Sequence, residues 1–97
     1  MTQTANVTGV KTCIQQDAGA VRVQYHDTVV ARRAPDGLVT LDTGGWRTVT
    51  TRLRMNQFAN EFCGGRFHVH QHKGAWEVST HAGELIPFPG NTLTFRP

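Results

Sequence analysis

The chain has 97 residues, a formal charge of +3 and 38% apolar residues. A domain of this size buries roughly 65% of its unfolded surface, which predicts a thin two-layer core rather than a deep one. The modest charge excludes a histone-like protein. No run reaches the roughly 18 apolar residues of a membrane span, and the opening MTQTANVTGVK lacks the apolar segment of a signal peptide.

Residues 1–20, rich in Thr, Gln and Ala, read as an N-terminal arm or edge strand; residues 21–97 read as a single α+β domain. In VRVQYH, Val21, Val23 and Tyr25 alternate with Arg22, Gln24 and His26, a half-buried strand. TVVARR is either its continuation or a second strand after a bend at His26-Asp27. Pro35-Asp36-Gly37 then signals a turn, because Pro presets φ and Gly accepts φ > 0. LVTLDT is the partner strand of the hairpin.

Met55, Phe58, Ala59 and Phe62 recur at i, i+3, i+4 and i+7, the stripe of an amphipathic helix. Arg54, Asn56, Gln57, Asn60 and Glu61 fall off it. Thr50 or Thr51 is the expected cap, and Gly64 ends the helix. RFHVHQH alternates again, with Phe67 and Val69 inward and His68, His70 and His72 outward. Lys73-Gly74 turns the chain into AWEVST, with Trp76 and Val78 inward. ELIPF and TLTF close the chain, and Pro87 and Pro89 point to an edge position. The fold class is therefore α+β: two layers, one amphipathic helix packed on one face of an antiparallel sheet, in the order β-β-α-β-β(-β). The opposite face is expected to carry the histidines and several arginines, open to solvent or a partner.

Chemistry concentrates in TGGWRTVTTRLRMN, residues 43–56. Between Gly44 and Asn60 stand Arg47, Arg52 and Arg54 and no acid, which equals the charge excess of the whole chain. A helix N-terminus carries a partial positive charge and unpaired N–H groups, so cations there are misplaced for the helix itself. Gly44 and Gly45 permit close backbone approach, and Thr48, Thr50 and Thr51 offer hydroxyls. With Trp46 these are ingredients of a phosphate or carboxylate site, although the spacing is neither GxxxxGK[ST] nor GxGxxG. The bland alternative is a capped helix with solvated arginines and a tryptophan closing the core.

On a strand, His68, His70 and His72 stand about 6.5–7 Å apart along one face. Two imidazoles can share a metal, but no carboxylate or cysteine completes the three or four ligands zinc takes, so a solvated polar face is the expectation. Asp27, Asp36, Asp42 and Glu61 are scattered without a paired carboxylate. Cys63 lies at a helix C-terminus, where a thiolate is disfavoured. Cys13 and Cys63 have no metal or redox spacing and read as free thiols of a reducing cytoplasm. No enzymatic activity and no cofactor are expected.

Tyr25, Thr28, the turn Pro35-Asp36-Gly37 and LDTGGWRTVTTRLRMN together resemble a group of small tailed-bacteriophage and prophage proteins. Those carry a Tyr-x-x-Thr segment, a hairpin and a TGGW-x-T-x-TT-basic motif before a helix. The resemblance spans roughly residues 23–90 and implies a phage origin more than an activity. It predicts a non-enzymatic binding protein in the cytoplasm of an infected bacterial host. The first reading is a phosphate-bearing partner, nucleic acid above all, held by Arg47, Thr48, Thr50, Thr51, Arg52 and Arg54 beside Gly44, Gly45 and Trp46. The alternative is a binder or inhibitor of a host protein, of the anti-restriction, anti-CRISPR or transcription-modulating kind. A nucleotide-signal sponge, consistent with a homo-oligomer, is the third.

Overall fold

A computed structural model describes residues 12–97. The N-terminal arm expected over residues 1–20 lies largely outside the described residues; its last part, Thr12–Asp17, is the edge strand β1. The order continues β2 (Ala20–Tyr25), β3 (Thr28–Arg33), β4 (Val39–Asp42), α1 (Val49–Phe62), β5 (Phe67–His72), β6 (Ala75–Thr80), β7 (Leu85–Pro87) and β8 (Thr92–Phe95). His26-Asp27 turns the chain, so TVVARR is a strand of its own, paired Tyr25 to Thr28 and Val23 to Ala31 with a bulge between Val23 and Gln24.

The fold class is α+β, one helix on antiparallel strands, and the strands divide into two sheets. Five run β1-β2-β3-β4-β8 and three run β5-β6-β7. The division follows from β8, which bypasses its sequence neighbours and pairs with β4, Leu41 opposite Leu93. Pro87 falls in β7, the outer strand of the smaller sheet, where a missing N–H interrupts no ladder. At Lys73-Gly74 both residues have positive φ, 52° and 83°, the two-residue hairpin turn whose twist matches its strands.

The helix packs on β2 and β3 of the larger sheet and on β5 of the smaller one. The core between them holds Val23, Val30, Ala31 and Leu41 from the larger sheet, Met55, Phe58 and Ala59 from α1, and Val69, Trp76 and Val78 from the smaller sheet. Phe67 meets Phe95 edge-on at 5.0 Å, joining the two sheets. Because α1 touches both sheets, its buried arc is wider than one stripe. Arg54 and Gln57, expected off the stripe, are 8% and 2% exposed. Asn56 also turns inward: its amide donates to Val69 O at 2.9 Å and accepts from Val69 N–H at 2.7 Å. One side chain thus supplies the backbone pairing that β5 lacks on its outer edge.

The histidines and arginines expected on one open face lie on different sheets. His68 and His72 are exposed on β5, whereas Arg22 and Arg32 face each other across β2 and β3.

Candidate functional site

The loop between β4 and α1 is built from its own side chains. Asp42 Oδ1 accepts Gly44 N–H at 2.8 Å, and Thr43 Oγ1 accepts Gly45 N–H at 3.1 Å. Trp46 N–H returns to Thr43 O at 2.9 Å. Gly44 and Gly45 occupy the centre of this tight turn with φ of 62° and 89°, a region that L-residues adopt at a cost. Thr43, fully buried, donates its hydroxyl to Asn91 Oδ1 at 2.9 Å and its N–H to Asn91 O at 2.8 Å. The turn is thereby anchored to the strand connection before β8. Gly44 closes on Thr28, where an added Cβ would stand 2.4 Å from the hydroxyl oxygen. The close approach that two glycines predict is therefore made to Thr28 inside the fold.

Thr48, rather than Thr50 or Thr51, caps α1. Its backbone is extended (φ −109°, ψ 163°), and its hydroxyl oxygen accepts Thr51 N–H at 3.1 Å. Thr51 is buried, with its hydroxyl 3.1 Å from that of Thr48; Thr50 is half-buried. Thr48→Ala should lower stability by about 1 kcal/mol in urea unfolding, while Thr50→Ala should leave the midpoint within about 0.5 kcal/mol of wild type.

Each arginine of the stretch is engaged within the protein. Arg47 donates to Phe88 O at 3.0 Å and to Gly90 O, with its guanidinium 5.3 Å from the Trp76 ring. Arg52 lies 5.6 Å from the same indole, and its buried Nε has no hydrogen-bond partner among the described residues. Arg54 donates to Thr12 Oγ1 at 2.9 Å and Gln57 Oε1 at 3.2 Å and lies 5.6 Å from the Tyr25 ring. These are cation–π and hydrogen-bonded positions, and they explain why cations are tolerated at a helix N-terminus that lacks acids.

Beside Gly44, Gly45, Arg47 and Thr48, the stretch presents large apolar side chains to solvent. Trp46 is 68% exposed, Val49 72% and Leu53 43%. Val49 and Leu53 stand one turn apart on the same helix face. Beside Trp46 runs a groove of about 430 Å³, walled by Tyr25, His26, Asp27 and Thr28 on one side and Thr43, Trp46, Thr48 and Thr51 on the other. The two segments that carry the resemblance, around Tyr25 and around Trp46, thus form opposite walls of one groove.

The histidine strand keeps its separate character. His68 and His70 stack at 5.9 Å, and His70 Nδ1 lies 3.7 Å from Glu77 Oε1. Partial desolvation, then the neighbouring His70 and Arg52, lower the His68 pKa below the ordinary imidazole value, which favours the neutral form. Among the described residues no three His, Cys, Asp or Glu side chains converge to hold a metal ion.

A second concave feature escaped the sequence reading. Arg33, Arg66 and Arg96 come from three separate elements and line one cleft at the C-terminal end of α1. They are 33, 30 and more residues apart along the chain, so no local charge cluster announces them.

These features define a small α+β domain that presents an apolar ridge next to a groove of mixed lining. The chain belongs to the Kyanoviridae Gp96 protein family, which matches residues 2–94, and it is a phage protein. No curated protein and no solved structure matches it.

Proposed function

We propose that this phage protein works by binding rather than catalysis, and that its partner is a protein of the infected host, in the cytoplasm. The observation that supports this reading is the exposure of Trp46, Val49 and Leu53 at the head of a helix that buries Arg54 and Gln57. A large exposed aromatic with aliphatic neighbours is the composition of a protein-binding hot spot. The groove beside Trp46 offers hydroxyls and Asp27 to orient a partner's polar groups. A nucleic-acid reading of the same stretch needs guanidinium groups directed at phosphates. Here Arg47, Arg52 and Arg54 are committed to carbonyls, aromatic rings and Gln57, which favours the host-protein reading.

The test compares the wild type with Val49→Asp, Leu53→Asp in a pull-down from host lysate, with and without nuclease. Both positions are exposed, so the variant should keep its thermal midpoint. The expected result is one stoichiometric polypeptide that survives nuclease and is lost from the variant, with a dissociation constant weakened at least about 100-fold. Capture that disappears with nuclease, capture retained by the variant, or a ridge occupied by a second copy of the chain in light scattering would overturn it.

A further inference from the structure

The cleft at the far end of α1 gathers positive charge that the fold only partly uses. Its volume is about 610 Å³, within the usual range for small-molecule sites. Arg33 reaches from the end of β3 to donate to Phe62 O, which satisfies a terminal carbonyl of the helix. Arg96 donates to Asp36 O at 2.8 Å and Asp36 Oδ2 at 3.3 Å. Arg66 makes no side-chain hydrogen bond or ion pair to the described residues, and Asp36 is the one side-chain carboxylate on the cleft wall. That carboxylate is itself occupied by Leu38 N–H at 3.1 Å and by Arg96. Among the side chains of the cleft, three guanidiniums therefore face one engaged acid.

Like charges drawn together cost free energy unless an anion joins them, and forked guanidinium donors match phosphoryl oxygens. Phe62, Pro35 and Pro97 add apolar wall beside the charges, a surface on which a flat ring can rest. The cleft exceeds what an inorganic phosphate fills. We propose that this cleft binds the phosphoryl group of a nucleoside phosphate, with Arg66 as its principal unpaired donor beside Arg33 and Arg96. The site is separate from the Trp46 ridge, so it stands or falls independently of the host-protein reading. The same chemistry is offered by a free nucleotide and by the phosphorylated 5′ end of a nucleic acid.

Calorimetric titration of the full chain with AMP, ATP, and 5′-phosphorylated and 5′-hydroxyl oligonucleotides separates these sources. Saturable binding of AMP or ATP assigns a free nucleotide. Binding of the phosphorylated oligonucleotide in preference to its hydroxyl form assigns a strand end. In either case Arg66→Ala should weaken affinity about tenfold or more, the loss expected for one charge-assisted contact, and Arg66→Lys should recover only part of it. Val49→Asp, Leu53→Asp should leave the affinity unchanged. Cys63 lines the same cleft whereas Cys13 is exposed elsewhere, so bound ligand should slow alkylation of Cys63 alone. No heat at millimolar ligand, equal binding of both oligonucleotides, or undiminished binding by Arg66→Ala would overturn the proposal.

Discussion

Asn56→Leu should lower the stability of the domain by about 2–4 kcal/mol, although the side chains are similar in size and Asn56 stands on the polar side of the helix by sequence. The substitution leaves Val69 N–H and Val69 O without their partners, at a residue with no exposed surface. An unpaired buried donor or acceptor costs about 1–3 kcal/mol. Asn56→Asp separates the two bonds. An ionised carboxylate still accepts from Val69 N–H, but it faces Val69 O with no proton to donate. Protonation restores the donor, so the folded state should raise the pKa of this introduced acid above its unfolded value of about 3.9. The associated stability is then present below that unfolded pKa and is lost as pH rises through the folded one. Urea unfolding at acid and neutral pH reads both effects. An Asn56→Leu midpoint within about 0.5 kcal/mol of wild type would mean that β5 does not depend on this clamp.

The clamp also shows where the sequence stops being legible. Alternation marks Phe67 and Val69 as inward and the histidines as outward, and the i, i+3, i+4, i+7 stripe marks Met55, Phe58, Ala59 and Phe62; burial agrees except at Phe62 and His70, which are half-buried. These are local signals, carried by periods of two and 3.6 residues. The division into two sheets is not local. It depends on Leu41 finding Leu93 across 51 intervening residues, a pairing no turn motif encodes. Once α1 lies against both sheets, Arg54 and Gln57 are buried and Val49 and Leu53 are left outside, the reverse of their polarity.

The candidate stretch is legible in the sequence, whereas the internal contacts of its arginines are not. TGGWRTVTTRLRMN stands out by composition, and its residues do form a built loop and a groove wall. Its positive charge suggested an anion at the helix start. The guanidiniums instead find Trp76, Tyr25 and backbone carbonyls, all supplied by distant segments. In the arginine cleft the basic side chain without a hydrogen bond or ion pair among the described residues is Arg66, which has an ordinary local sequence.

Gly44→Ala is the second substitution with a large expected effect, about 2–4 kcal/mol of lost stability. Two costs combine. The backbone sits at φ 62°, where an L-residue loses roughly 1–2 kcal/mol. The new methyl carbon also lands 2.4 Å from Thr28 Oγ1 and 2.8 Å from Thr28 Cγ2, an overpacking of about 1–3 kcal/mol. Gly45→Ala isolates the first cost, because φ is 89° there and nothing lies within 4 Å of the added carbon. It should lose only about 1–2 kcal/mol. Thr28→Ala removes the two colliding atoms and leaves Thr28 Cβ at 3.1 Å. In the Gly44→Ala background it should therefore recover part of the loss, with a coupling of about 1–2 kcal/mol between positions 28 and 44. Strict additivity would mean that the turn and the β2–β3 corner do not touch. If they are coupled, the two groove walls are one mechanical unit. The groove then inherits its shape from Gly44 against Thr28, and the double variant should alter partner binding at Trp46 more than its residual loss of stability accounts for.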